Sequence, residues 1–146
     1  MVKKLKELTN LDIDRICSSL RSYGGCLSKD QLPRRIGRKF YVVNMQDSDK
    51  GSGTHWVLLD NRGRQVVYFD SMGEVPPRSI KSAMTATGKK QVINNVELQP
   101  MGSVTCGWYC IAAAKALQHM GLPEFVSEFS PSDFKSNDKH LASMFS

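Results

Sequence analysis

Residues 103–110 read SVTCGWYC and run directly into IAAAKALQHM (111–120). PMGSVT (100–105) predicts a loop. The alanine-rich stretch behind it predicts a helix over 106–120, with Ile111-Ala-Ala-Ala and Ala116-Leu117 suited to burial against a sheet. Cys106 therefore stands where loop becomes helix. A thiol there meets the positive end of the helix dipole and unpaired backbone N–H groups, and both favour thiolate over thiol. Three readings compete: a buried spectator, half of a metal or redox pair with Cys110, or a nucleophile. Buried cysteine is common, so Cys106 alone is more often structural than catalytic. The rest of the chain has to decide.

Working outward, VINNVEL (92–98) reads as a strand with Gln99 at its end, and RSIKSAMTAT (78–87) as a helix that ends at Gly88. SMGEVPP (71–77) carries two prolines that forbid regular structure. HWVLLD (55–60) and QVVYFD (65–70) flank NRGR and form a hairpin, Asn61-Arg62-Gly63 suiting a turn with a positive φ. FYVVNM (40–45) is another buried strand, followed by the polar loop QDSDKGSG (46–53). SYGGCLSKDQLPR (22–34) is turn-rich, with two glycines and Pro33. Leu8, Leu11, Ile13, Ile16 and Leu20 recur at mixed helical spacing, and Thr9 or Asn10 can cap a helix from near Leu11. Ser130 is the expected cap of a short helix near 131–136. With no repeat, low-complexity region or linker, residues 1–146 are expected to form one α+β domain.

The totals narrow the classes. A chain of 146 residues with 40% hydrophobic content can bury a real core. Four cysteines at 17, 26, 106 and 110 are too few and too irregular for a secreted disulfide scaffold. With no CxxC pair and three histidines, a structural zinc site is not expected, and no metal is. MVKKLKELTN lacks the apolar stretch of a signal peptide, and no run approaches a membrane span, so an intracellular setting with free thiols and no membrane partner is expected. Net charge is +6, with basic clusters at Lys3-Lys4-Lys6, Arg34-Arg35 with Arg38-Lys39, and Lys89-Lys90. Such clusters can hold DNA through its phosphates without reading sequence, or simply keep the surface soluble. KKLK is a weak candidate nuclear import signal.

A cysteine nucleophile needs a base and an oxyanion site. His55 opens a strand after GSGT and is expected to project from the sheet's edge into a cleft. His119 lies thirteen residues beyond Cys106, about 20 Å along a helix, too far to reach the thiol. His140 falls in a polar tail. Asp70 ends the strand paired with that of His55 and can hold the imidazole in one tautomer, whereas Asp60 ends at the opposite edge. Gln99, seven residues before Cys106, can join the Cys106 N–H in binding a developing oxyanion. Gly107, lacking a Cβ, lets a substrate backbone come close. Each residue has a bland alternative: a satisfied strand histidine, a turn-capping aspartate, a surface glutamine, a packing tryptophan. Cys110 reads as a core thiol, since a CxxxC redox pair leaves His55 and Gln99 unexplained. The ordered set His, Asp, Gln, Cys carries the reading.

THW, VVYFDSMG and LQPMGSVTCGWYC resemble the adenovirus-type endopeptidases, or adenains, and more distantly the SUMO-deconjugating cysteine proteases of the same clan. The shared pattern is His-Trp on a strand, an acid at the end of the next strand, and Gln shortly before Cys-Gly. LTNLDIDRI, LP and YVVN resemble the amino-terminal half of adenain-like proteases of other DNA viruses and Polinton-type elements. The resemblance covers roughly residues 8–120. It implies a single-domain cysteine-protease fold: a central, mainly antiparallel sheet packed on the nucleophile-bearing helix, with flanking helices.

The resemblance also implies roles: Cys106 as nucleophile, His55 as general base, Asp70 orienting the histidine and Gln99 forming the oxyanion hole. Adenains commonly have Glu at the third position; the deconjugating enzymes have Asp. Family substrates are cleaved after glycine, in Gly-Gly or Gly-X-Gly contexts, and Trp56 is placed to narrow the cleft to glycine by steric exclusion. The implied setting is viral or mobile-element precursor processing, in host nucleus or virion, by a monomer. The chemistry needs no cofactor. Adenovirus enzymes are nevertheless stimulated by DNA and by an activating peptide tethered through a disulfide, and no cysteine lies between Asp70 and Gln99 here to form it. The alternatives are a SUMO- or ubiquitin-like deconjugase, a basic DNA-binding module with incidental thiols, and a dead scaffold, which the fully occupied motif disfavours.

Overall fold

The computed structural model describes residues 4–46 and 55–145. The polar loop expected at 46–53 lies, apart from Gln46, outside the described residues, as does the GSGT stretch. Helix α1 (Asn10–Cys17) begins at Thr9, whose hydroxyl accepts from Asp12 N at 3.1 Å while the Asp12 carboxylate accepts from Thr9 N at 3.0 Å. Such a reciprocal cap satisfies two otherwise orphaned donors, and it confirms the expected start.

Five strands follow in spatial order β1 (Tyr23–Ser28), β2 (Phe40–Asn44), β3 (Trp56–Asp60), β4 (Gln65–Phe69) and β5 (Lys90–Ile93). The three central strands are antiparallel, with Val42 opposite Leu58 and Leu58 opposite Phe69. Both outer strands join parallel, so the α+β class is as expected but the sheet is mixed rather than mainly antiparallel. Every residue of β2 and β3 is buried, because both faces of the sheet are covered. Phe40, Val42, Trp56, Leu58 and Phe69 turn toward helix α3 (Cys106–Ala116). Tyr41, Val43, Val57, Leu59, Val66 and Tyr68 turn toward Ile80 and Met84 of α2 (Arg78–Ala86). Helices α4 (Leu122–Val126) and α5 (Phe134–Ser143) complete the α3 side, where Phe125 meets the Phe69 ring edge-on at 5.6 Å. Among the described residues no helix is long and apolar enough to cross a membrane.

Several expectations are corrected. The turn-rich stretch 22–34 contains β1 and only one short 3-10 turn at Lys29–Gln31. Its glycines serve a strand: the register slips between Tyr23 and Gly25, and a Cβ on Gly24 would fall 2.5 Å from the Tyr41 ring. The strand expected at 92–98 is β5, four residues long and starting earlier; Asn94 leaves the sheet to bind loops. Helix α3 ends at Ala116, short of 120. The last helix starts at Phe134, capped by Asp133 rather than Ser130, and α4 was not foreseen. The hairpin turn needs no left-handed residue at Gly63. Lys89 Nζ holds it instead, donating to the Asn61 and Gly63 carbonyls at 2.9 and 2.7 Å.

Gly73 is left-handed (φ +73°), and a Cβ there would lie 2.9 Å from the backbone of Val96 and Glu97. Backbone cannot step aside as a side-chain tip can. Gly73→Ala is therefore expected to lower stability by about 1–3 kcal/mol, read from its urea midpoint. Gly63→Ala, with nothing within 4 Å, should stay within about 0.5 kcal/mol of the parent.

Candidate active site

The nucleophile candidate is the first residue of α3, reached through Thr105, which occupies the cap position without a capping hydrogen bond. Cys106 is packed into the core and keeps 4% exposure. Its Sγ accepts from the Trp56 backbone N–H at 3.5 Å, tying the start of β3 to the start of α3. One residue earlier, His55 is pinned to β2, its carbonyl accepting from Met45 N at 2.9 Å. The His55 side chain is partly open to solvent, and its Nε2 lies 2.6 Å from Asp70 Oδ1. The other ring nitrogen, Nδ1, is left for Cys106, with which the imidazole also hydrogen-bonds. His55 thus bridges carboxylate and sulfur.

Asp70 follows β4 and is wholly buried. Its Oδ1 also accepts from Met72 N at 2.9 Å. Asn94 clamps its backbone from both sides, Oδ1 accepting from Asp70 N at 2.9 Å and Nδ2 donating to Asp70 O at 2.8 Å. Among the described residues Asp70 Oδ2 has no partner. Asp60, the rejected acid, is engaged elsewhere: Arg62 binds it through two nitrogens at 2.9 and 2.8 Å and stacks 4.5 Å over Phe40.

Burial opposes charge on His55, but the hydrogen bonds to Asp70 and then Cys106 outweigh it and raise its pKa from 6.5 to about 9. The imidazolium therefore persists through neutrality. Because the folded value exceeds the unfolded one, the charge contributes stability below pH 6.5 that is lost as pH rises through about 9.

Gln99 is 3% exposed and fixed at both ends of its amide. Its Oε1 accepts from Ser71 Oγ at 2.6 Å, and its Nε2 donates to Ser103 O at 2.7 Å. It reaches the other site residues through Ser71, beside Asp70, and Ser103, three residues before Cys106. Trp56 walls a groove of about 500 Å³ with Leu8, Asn44, Leu27 and Gln31, and its Nε1 donates to Leu8 O at 3.3 Å. Gly107 does not face open space: a Cβ there would meet Leu8 Cδ1 at 3.2 Å and Trp56 Cδ1 at 3.5 Å. Its missing side chain admits the protein's own amino-terminal segment. That segment is further held by Trp108 Nε1 donating to Lys6 O at 2.6 Å.

The remaining thiols and imidazoles stand apart. Cys110 is buried and its thiol is pushed well above the ordinary value, by burial first and then by Cys106 and Asp70, as suits a core residue. Burial foremost pushes Cys17 to about 11 and Cys26 to about 12. No disulfide joins any of the four cysteines. His119 and His140 are exposed, and His140 packs against the Phe129 ring at 5.2 Å. Among the described residues no cluster suits a metal. Sequence reasoning missed Ser71, Asn94 and Ser103. Two consecutive asparagines inside an expected strand were the available signal for Asn94, since asparagine is depleted in strands and satisfies loop backbone.

No protein-family model and no curated protein matches the chain. Solved structures do. The ASFV pS273R protease superposes with a TM-score of 0.59 at 18% identity, over 93% of this chain and 66% of that one. A selenomethionine form of the same protease gives 0.50 at 22%, over 70% and 43%. ChlaDub1 from Chlamydia trachomatis gives 0.50 at 22%, over 73% and 56%. The chain thus spans at most two thirds of these neighbours. It shares the fold of the ASFV pS273R protease and of ChlaDub1.

Asp70 is expected to sustain the His55 charge. Imidazole NMR signals of His55 should titrate with a midpoint near 9, and Asp70→Asn should move that midpoint to lower pH. An unchanged midpoint in the variant would remove Asp70 from this role.

Proposed function

We propose that this chain is a cysteine endopeptidase. The observation that carries the reading is the His55 bridge between the buried Asp70 carboxylate and the Cys106 sulfur. In the proposed cycle the Cys106 thiolate attacks the scissile carbonyl carbon and a C–S bond forms. The oxyanion is received by the Cys106 N–H and by the Gln99 Nε2 proton not given to Ser103. The His55 imidazolium then protonates the leaving amine, the C–N bond breaks, and a thioester remains. Neutral His55 takes a proton from water as it attacks; the C–S bond breaks and the acid leaves. Asp70 keeps the imidazole aimed throughout.

The preferred residue before the cut is glycine, in Gly-Gly or Gly-X-Gly contexts of viral or mobile-element precursors. Trp56 supports this. It adjoins the sulfur through its own N–H and is anchored to Leu8, so it cannot swing aside for a larger side chain. The overlay on the ASFV pS273R protease across 93% of this chain supports a proteolytic role.

Cys106→Ala should abolish cleavage of a Gly-Gly peptide while circular dichroism stays native; retained cleavage rejects the nucleophile. Gln99→Ala should lower kcat about 10²–10³-fold, the usual loss of one oxyanion donor. Cys110→Ala should change little. On the alkaline side kcat/KM should fall through an apparent pKa near 9 as the imidazolium is lost. Peptide-library profiling, with and without duplex DNA and alongside ubiquitin-like precursors, tests specificity. A glycine-blind profile counts against the assignment, and a preference for whole ubiquitin-like proteins favours deconjugation.

A further inference from the structure

The loop between Gln99 and Cys106 is held at both ends by adjacent side chains of α5. At its entrance Asn137, 2% exposed, donates from Nδ2 to Leu98 O at 3.0 Å and to Ser130 O at 2.7 Å. At its exit Asp138 collects three hydroxyl donors. Ser103 Oγ donates to Oδ2 at 2.7 Å; Thr105 Oγ1 and Tyr109 OH donate to Oδ1 at 3.0 and 3.1 Å. Burial first, then the charge and hydrogen bond of Asp138, raise the Tyr109 phenol above its ordinary value, so it remains a donor.

These bonds lead to the reacting centre. Ser103, held through its hydroxyl by Asp138, accepts the Gln99 amide at its carbonyl. Thr105, whose hydroxyl is directed to Asp138 and not to the helix it precedes, supplies the peptide carrying the Cys106 N–H. Tyr109 lies one turn further along the same helix. Both oxyanion donors are thereby referred to one carboxylate, 35 residues beyond Ser103.

We propose that Asp138 is a positioning residue for acyl transfer: through Ser103 and Thr105 it sets the Gln99 amide and the Cys106 N–H to converge on the developing oxyanion. This rests on the endopeptidase reading above. Donors held by a rigid outer shell need no reorganisation as charge develops, whereas a displacement of about 1 Å can cost roughly 10²-fold in rate. Asp138 acts through the Ser103, Thr105 and Tyr109 hydroxyls, so its removal is expected to act on kcat and to leave the reactivity of the sulfur unchanged.

The test compares the parent with Asp138→Ala, and with Thr105→Val as a milder variant should the first not fold. Three measurements are made: Gly-Gly peptide turnover, inhibition by a peptide glycinal aldehyde (whose hemithioacetal places an oxygen in the oxyanion site), and Cys106 alkylation by iodoacetamide. Asp138→Ala should lower kcat and aldehyde affinity together, by about 10²-fold at most, with KM within about twofold and alkylation unchanged. Thr105→Val should lower both about tenfold or less. Asp138→Asn, which still accepts from Thr105 and Tyr109, should recover part of the loss. Turnover and aldehyde affinity that stay at parental levels overturn the proposal, as does a parallel fall in alkylation, which signals general damage. The Gln99 side-chain amide NMR signals supply a readout independent of activity. They should shift or broaden in Asp138→Ala, and unchanged signals overturn the positioning role even in a chain that cleaves nothing. A parent that neither cleaves peptides nor is alkylated at Cys106 overturns the endopeptidase reading alone, and the amide signals then decide on Asp138.

Discussion

The contact on which the site depends is the 2.6 Å hydrogen bond between His55 and the buried Asp70 carboxylate. A carboxylate removed from water needs donors or a positive partner, or it protonates. Here the partners are the Met72 N–H and the His55 imidazole, while Asn94 locks the backbone that carries the acid. The same contact sustains positive charge on a half-buried ring beside the sulfur. Without it, burial would act unopposed by its strongest counterweight.

The start of α3 is where otherwise separate elements meet. The amino-terminal segment crosses it, Leu8 filling the space opened by Gly107 and both tryptophans gripping backbone carbonyls at Lys6 and Leu8. β3 touches the sulfur through the Trp56 N–H. The loop from Gln99 arrives under the control of α5. A helix buried along its length against the sheet makes a stiff platform, and placing the thiol at its tip gives the site a fixed reference.

Much of this was legible in the residues. The apolar runs FYVVNM, HWVLLD and QVVYFD marked the three central strands, and Thr9 or Asn10 as a cap marked α1. Gly24 and Gly25 misled, because glycine signals a turn locally but here permits a strand to pass against Tyr41. Asn94 reads as strand because Val92 and Ile93 precede it, although its amide is needed by Asp70. Ser130 was the expected helix cap, yet its backbone is bound by Asn137 and Asp133 caps instead.

By itself, the sequence determined the elements that local chemistry controls: the apolar runs of the central strands, the cap of α1, a thiol at a helix start, and the order His55, Asp70, Gln99, Cys106. Tertiary structure alone decided which partners those side chains meet. It faced Asp70 to the imidazole, turned Gly107 toward Leu8, and brought Asp138 to Ser103. The reason is range. Propensity and capping act within a few residues, whereas the contacts that join His55 to Asp70 and Trp56 to Cys106 span 15 and 50 positions and exist only once the core has packed.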